Sequence, residues 1–286
     1  MADVSSVMGQ FNGRPAVMLQ APDGAQAVLL LQGAQLVSWR GRDGRDRLYL
    51  SEKAVYADGQ AVRGGVPVVF PQFEKRGPLQ RHGFARVLPW TLERADVSRE
   101  GALAVLRLES GDITLAQWPH PFAAELTVNV SDERLDIELE VENTGDAPLS
   151  FTAALHTYLR VHEVEEASLE GLRGQTYLDS LTGREAMQGL GAVTVEDEVD
   201  RIYWGHPEHD RTLLLREPGR TLAIDQQNFP DTVVWNPWTE KTLAMADLPP
   251  SDFRRFLCVE AAAVGEPVQL VAGEAWWGRQ TLRTQP

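Results

Sequence analysis

The chain has 286 residues, 43% of them hydrophobic, a formal net charge of −14 and one cysteine. That length supplies a full core for one large β domain or two smaller ones, and the lack of an apolar run of about 18 residues excludes a transmembrane helix. The acidic balance gives no overall attraction for nucleic acid or anionic membrane, and lone Cys258 excludes an internal disulfide framework and any CxxC metal site.

The opening residues, MADVSSVMGQ, lack the basic start and apolar block of a secretory signal. A soluble cytoplasmic protein is therefore expected. The first unusual stretch is VRGGVPVVFPQF, where Arg63 precedes Gly64 and Gly65, and Pro67 and Pro71 bracket an apolar run. The glycines allow positive φ or close backbone approach. An arginine beside such a turn could fork onto a carboxylate or phosphate, and a plain surface arginine is an equal alternative. RHGFARVLPW follows, with Arg81, His82 and Arg86 inside six positions. Three donors so close suit an anion or polyol, though solvated loop charges are the commoner case.

Strands come next. LAVLRLES is one; ELTVNV and RLDIELEVEN, joined by the turn SDER, form a hairpin. In the latter, Leu135, Ile137, Leu139 and Val141 share a buried face, and Asp136, Glu138, Glu140 and Glu142 an acidic one. FTAALHTYLRV, Phe151 to Val161, reads as one uninterrupted strand. Period two puts His156 with Ala154, Tyr158 and Arg160 on the more polar face. A lone strand histidine is usually structural. In VDRIYWGHPEHD, the H-x-x-H of His206 and His209 with Asp210 resembles a metal site but is broken by Pro207, so no metal is expected.

TLLLRE, RTLAIDQ and DTVVWN add strands. VVWNPW sets Trp235 and Trp238 about an Asn-Pro turn; indoles suit sugar C–H faces, and equally a core. LPPSDFRRF predicts a short helical turn with Ser251 as N-cap. Two last strands are RFLCVEAA and EPVQLVAG. In the former, Glu260 shares a face with Cys258 and Ala262 in an apolar run. A buried carboxylate needs a partner or a ligand, or it takes up a proton. Partial burial also raises its pKa and makes it a better base near neutrality. A structural ion pair is the alternative. With helical periodicity scarce and no linker between halves, the fold class expected is all-β: a single antiparallel β-sandwich domain over residues 1–286 with few short helices.

Six segments in one order, RGGVPVVFPQF, HGFAR, WPHPF, ALHTYLRV, VVWNPW and CVEAA, resemble the hexose-6-phosphate mutarotases (glucose-6-phosphate 1-epimerases) of the aldose 1-epimerase, galactose mutarotase-like superfamily. The resemblance runs from about Arg63 to Ala262. It implies a β-supersandwich with a cleft on a concave sheet, and exchange of the anomers of a 6-phosphorylated aldohexose with no metal or organic cofactor. It also implies Glu260 as base and His156 as acid. Arg63 and Arg86 would bind phosphate, and His82 phosphate or sugar hydroxyls. Asp200 would accept from sugar hydroxyls, Trp235 would form cleft floor, and Gln72 would also contact substrate. Partners other than a small sugar phosphate, nucleic acid and membrane included, are not expected, and a monomer is. Four rivals stand beside this: a glycoside hydrolase, which would need two flanking carboxylates; a Cys258 nucleophile, disfavoured in an apolar strand; a sugar-binding module, which would not need Glu260; and an epimerase of free sugars, against which Arg63 and Arg86 speak. Glucose, mannose and galactose 6-phosphates stay equal candidates.

Overall fold

The computed structural model describes residues 5–131, 133–205 and 211–285. The expected all-β sandwich is observed, built from two eight-stranded sheets and a four-stranded N-terminal sheet. The back sheet runs, in spatial order, Ser168–Glu170, Arg211–Glu217, Arg220–Gln227, Ala275–Gln285, Arg134–Asn143, Phe122–Ser131, Gly101–Glu109 and Thr91–Ser98. The front sheet runs Arg184–Met187, Thr176–Asp179, Val199–Tyr203, Asp231–Asn236, Phe256–Leu270, Leu149–Leu155 and Val68–Val69, with Tyr158–Arg160 also paired to Phe256–Leu270.

The predicted hairpin shows how pattern becomes structure. Phe122–Ser131 and Arg134–Asn143 pair antiparallel, Leu126 opposite Leu139 and Ser131 opposite Arg134. Alternate residues Leu135, Ile137, Leu139 and Val141 are wholly buried in the main core. That core also takes Leu155, Leu159, Val259 and Ala261 from the front sheet, so the two sheets bury their inner faces against each other. The acidic outer face is laced to arginines: Arg279 to Glu138, Arg134 to Asp136 and Arg107 to Glu125.

Three expectations are corrected. Phe151–Val161 is not one strand: regular pairing lapses at His156 and Thr157, between Leu149–Leu155 and Tyr158–Arg160. Here the His156 and Tyr158 amides turn to the carbonyls of Pro67 and Gly65. The face assignment survives the lapse, because Leu155, Leu159 and Val161 lie in the main core. RFLCVEAA and EPVQLVAG are not two strands but one of 15 residues, Phe256–Leu270, whose pairing with Leu149–Leu155 shifts register between Phe151 and Ala153. The helical turn Asp252–Arg255 forms where expected, but Ser251 makes no side-chain cap bond.

The Arg-Gly-Gly turn needs both glycines. Gly65 has φ of +62°, and a Cβ there would lie 2.1 Å from the Leu36 carbonyl oxygen. Gly64, at φ of +110°, would bring a Cβ within 2.4 Å of the Tyr49 oxygen. Gly65→Ala is expected to lower stability by at least about 1–3 kcal/mol, read as a lower denaturant midpoint at unchanged slope.

Candidate active site

Strand register writes the floor of the cleft. Across the front sheet, Tyr158 faces Cys258 and Leu155 faces Ala261. One step forward on an antiparallel strand is one step back on its partner, so His156 faces Glu260. On the other side Glu260 faces Val233, Val233 faces Ile202, and Ile202 faces Leu178. The next row along holds Tyr158, Cys258, Trp235 and Asp200. With side chains alternating between faces, both rows point away from the main core. His156, Glu260, Val233, Ile202, Leu178, Trp235 and Asp200 line a cleft of about 830 Å³, and Tyr158 and Cys258 are buried among its supports. The walls come from the segments between strands: Phe73 to Arg76, Arg81, His82 and Arg86, and Ser180, Leu181, Gly183, Lys241, Ala244 and Met245.

Seven of the eight residues singled out in the sequence line this one cleft: Arg63, His82, Arg86, His156, Asp200, Trp235 and Glu260. Gln72 does not line it. Its buried amide nitrogen donates to the carbonyls of Glu74 and Leu79, and its oxygen accepts from the Leu79 amide. Gln72 thus braces the loop that carries Arg81 and His82, and Gly77 has no Cβ because one would sit 2.4 Å from Gln72 Oε1.

Glu260 is 2% exposed and His156 8%. His156 Nδ1 lies 3.3 Å from Glu260 Oε1, without the alignment of a hydrogen bond, and neither Nδ1 nor Glu260 Oε2 has a hydrogen-bond partner among the described residues. Burial pushes the Glu260 carboxyl well above the usual carboxylate range, with repulsion from Asp200 adding to it. Burial also pushes the His156 imidazole well below its ordinary value, helped by the charges of Arg86 and Arg63. Each partner thus favours its uncharged form, and the pair holds one proton between them near neutrality.

His82 stands edge-on to His156, ring centroids 5.6 Å apart. Its Nδ1 accepts a long bond, 3.4 Å, from the Glu74 amide, which leaves the ring hydrogen on Nε2. Burial, then His156 and the arginines, drive its pKa down, so it is a neutral donor.

The arginines differ in state. Burial opposes the Arg63 charge, but Tyr158 and Asp247 outweigh it and raise its pKa. Arg63 Nε donates to Asp247 Oδ2 at 3.1 Å, and Nη1 to the Tyr158 hydroxyl at 3.0 Å. Arg81 at the rim pairs with Glu74. Arg86 has no carboxylate within ion-pair distance among the described residues. One of its nitrogens donates to the Arg81 carbonyl, its Nε is buried without a partner, and burial lowers its pKa to about 10. A buried cation without an anion is costly, so Arg86 is the group most in want of one.

At the far end, Asp200 lies 3.8 Å from Lys241 Nζ, which also pairs with Glu198 at 2.6 Å. Burial raises the Asp200 pKa against the pull of Lys241. The Trp235 ring stands edge-on to His156 at 5.8 Å. Behind the floor, polar residues reach between the sheets: Thr157 Oγ1 donates to Gln280 Oε1 (2.5 Å), Gln280 Nε2 to the Val259 carbonyl (3.0 Å), and Gln226 Nε2 to the Glu260 carbonyl (3.3 Å).

Sequence reasoning missed Lys241 and Asp247, which reach the site from the segment after a strand and carry no periodic signal. Tyr158 was legible, sharing the parity of His156. Among the described residues no group of three or more His, Cys, Asp or Glu could hold a metal ion, and His206, His209 and Asp210 lie outside those residues. No helix among them is long and apolar enough to cross a membrane.

The aldose 1-epimerase family model matches residues 15–283. A protein of Cenchrus ciliaris named "Putative glucose-6-phosphate 1-epimerase" is 35% identical over 284 residues, 96% of this chain and 86% of that one. One of Escherichia coli K12 with the same name is 33% identical over 247 residues, 84% and 81% of the two chains. The crystal structure of a "putative mutarotase (YeaD)" from Salmonella typhimurium superposes with a TM-score of 0.87 at 28% identity, covering 98% and 96% of the two chains.

Proposed function

Because the chain belongs to the aldose 1-epimerase family, we propose that it exchanges the α and β anomers of a 6-phosphorylated aldohexose by acid/base opening and closing of the ring. The observation that carries the chemistry is the His156–Glu260 pair, 3.3 Å apart at the floor of the cleft. Mutarotation moves protons at two oxygens, O1 and O5, that are bonded to the same carbon. A donor and an acceptor must therefore sit side by side, as these do.

Glu260 takes the proton from the O1 hydroxyl and His156 gives one to O5, so the C1–O5 bond breaks and C1 becomes an aldehyde. After rotation about C1–C2, O5 attacks the other face of C1, returns its proton to His156, and O1 recovers its own from Glu260. Both groups end as they began. The starting charge state, carboxylate beside imidazolium, is one proton transfer from the uncharged pair. Because Nδ1 is buried beside Glu260, Nε2 is the atom through which His156 reaches substrate. General acid and base catalysis contribute about 10²–10⁴-fold each.

The phosphate reading is supported by Arg86, a buried cation with no ion-pair partner among the described residues, with Arg63 beside it and His82 as a neutral donor. An acidic protein binds an anion here through local charge. Asp200 accepts from sugar hydroxyls, and Trp235 offers an apolar floor.

The test is anomer exchange in glucose 6-phosphate, followed by NMR saturation transfer, which the protein should accelerate. No acceleration with any hexose 6-phosphate would sink the proposal in favour of a binding module. Arg86→Ala is expected to raise KM for hexose 6-phosphates at least about tenfold and to change that for free hexoses far less. Equal effects would point to an epimerase of unphosphorylated sugars. Arg63→Ala should show the same bias.

A further inference from the structure

Tyr158 lies flat on the His156 imidazole, ring centroids 4.8 Å apart and planes 9° from parallel. Its surroundings hold it from two other directions. On one side Phe256 and Tyr49 pack on it at 5.2 and 6.5 Å, with the Trp235 ring edge-on at 6.0 Å. At its tip the phenol oxygen accepts from Arg63 Nη1, and Arg63 Nε is fixed in turn by Asp247. The ring is 2% exposed, so burial and the Arg63 bond together give it one orientation. The imidazole Nδ1 has no hydrogen-bond partner among the described residues, so the ring is held by the rings around it, His82 and Trp235 edge-on and Tyr158 flat against its face.

An acid must point its proton along the line to the atom it serves, and small misplacements are costly in rate. The protein sets that direction for a side chain by packing or by hydrogen bonds, and for Nδ1 among the described residues packing is the one available. We propose that Tyr158 is the positioning residue for His156, with Asp247 and Arg63 anchoring its phenol from the rim of the cleft. The proposal rests on the reading of His156 as proton donor at O5. It gives Arg63 a second task, carried through Tyr158 and separate from any bond to phosphate. The charged and titratable groups around the imidazole are Glu260 on the facing strand, His82 on the loop above, and Arg63, Arg81 and Arg86.

Three variants separate the parts. Tyr158→Phe keeps the stacked ring and loses the anchor. Asp247→Asn weakens the anchor at its far end and leaves Tyr158 whole. Tyr158→Leu removes the ring. Tyr158→Leu is expected to lower kcat about 10- to 100-fold with KM for glucose 6-phosphate within about threefold, and to move one limb of the pH–kcat profile. Tyr158→Phe and Asp247→Asn should fall between it and the parent. Wild-type kcat and pH profile in Tyr158→Leu would overturn the proposal, and so would Tyr158→Phe no better than Tyr158→Leu. A rise in KM matching the fall in kcat would make Tyr158 a substrate contact instead. Should Tyr158→Leu fail to fold by circular dichroism, Tyr158→Phe and Asp247→Asn, which keep the core shape, decide alone: parent kcat in both overturns it. Imidazole ¹⁵N titration of His156 in the free protein reads the stack without turnover. A resonance unmoved in Tyr158→Leu sinks the proposal even if the epimerase reading stands. A shifted resonance with no anomer exchange in the parent protein sinks only the latter.

Discussion

Glu260→Gln is expected to slow anomer exchange at least about 100-fold while leaving the protein folded and, above acid pH, more stable than the parent. The rate loss follows from removing the one group placed to take the O1 proton. The stability gain follows from linkage. Burial raises the folded pKa of Glu260, so between the unfolded value of about 4.3 and the folded value the native state binds a proton that the unfolded chain does not. Stability then falls as pH rises through that window and stays lowered above it. Glutamine has no such penalty and nearly the same shape. Denaturant melts of both proteins at pH 4, 6 and 8 should therefore diverge in favour of the variant as pH rises. A variant that keeps activity removes Glu260 from the reaction, and melts that stay parallel remove the buried-carboxylate account.

His156→Asn should likewise lose at least about 100-fold in kcat, with the fold retained. Its distinguishing mark is the pH profile. The parent pair works with one proton between two groups, so its kcat/KM profile is bell-shaped, with both limbs belonging to the pair. Without the imidazole only Glu260 titrates, and the residual rate should rise once with pH and then level. The folded pKa of His156 is depressed by burial, so the parent loses stability on acidification below about 6.5; asparagine lacks that term, and the acid side of its stability curve should be flatter. Parent-like activity in His156→Asn would leave the site without a proton donor and end the proposed mechanism.

Much of this site was legible in the residues. Period two assigned Leu155, Leu159 and Val161 to the core and His156 and Tyr158 to the other face, and the structure keeps that division. It also flagged Glu260 as a carboxylate in an apolar strand. What alternation could not give was pairing. That His156 stands opposite Glu260 depends on the register of strands about a hundred positions apart, which no local pattern encodes. Nor could it give the lapse at His156 and Thr157, because the His156 and Tyr158 amides turn to carbonyls contributed by Pro67 and Gly65. Gln72 shows the opposite error. Its place in a family-like segment suggested a substrate contact, and the structure gives it to the bracing of a loop. Asp231–Asn236 is buried along its whole length, so exposure marks no working face on it, and only its neighbours reveal that Val233 floors the cleft beside Trp235.

The strand Phe256–Leu270 has one further consequence, for descent rather than catalysis. Its alternate positions Cys258, Glu260 and Ala262 share the face turned from the main core, and Glu260 among them lines the cleft. A two-residue slip of this strand against its neighbours would keep every side chain on its proper face and yet set Cys258 or Ala262 opposite His156. Such a protein would keep its apolar layers and its cleft while lacking a carboxylate opposite His156. A change of two residues in a turn can therefore undo the pair while leaving the layers of the sandwich in place.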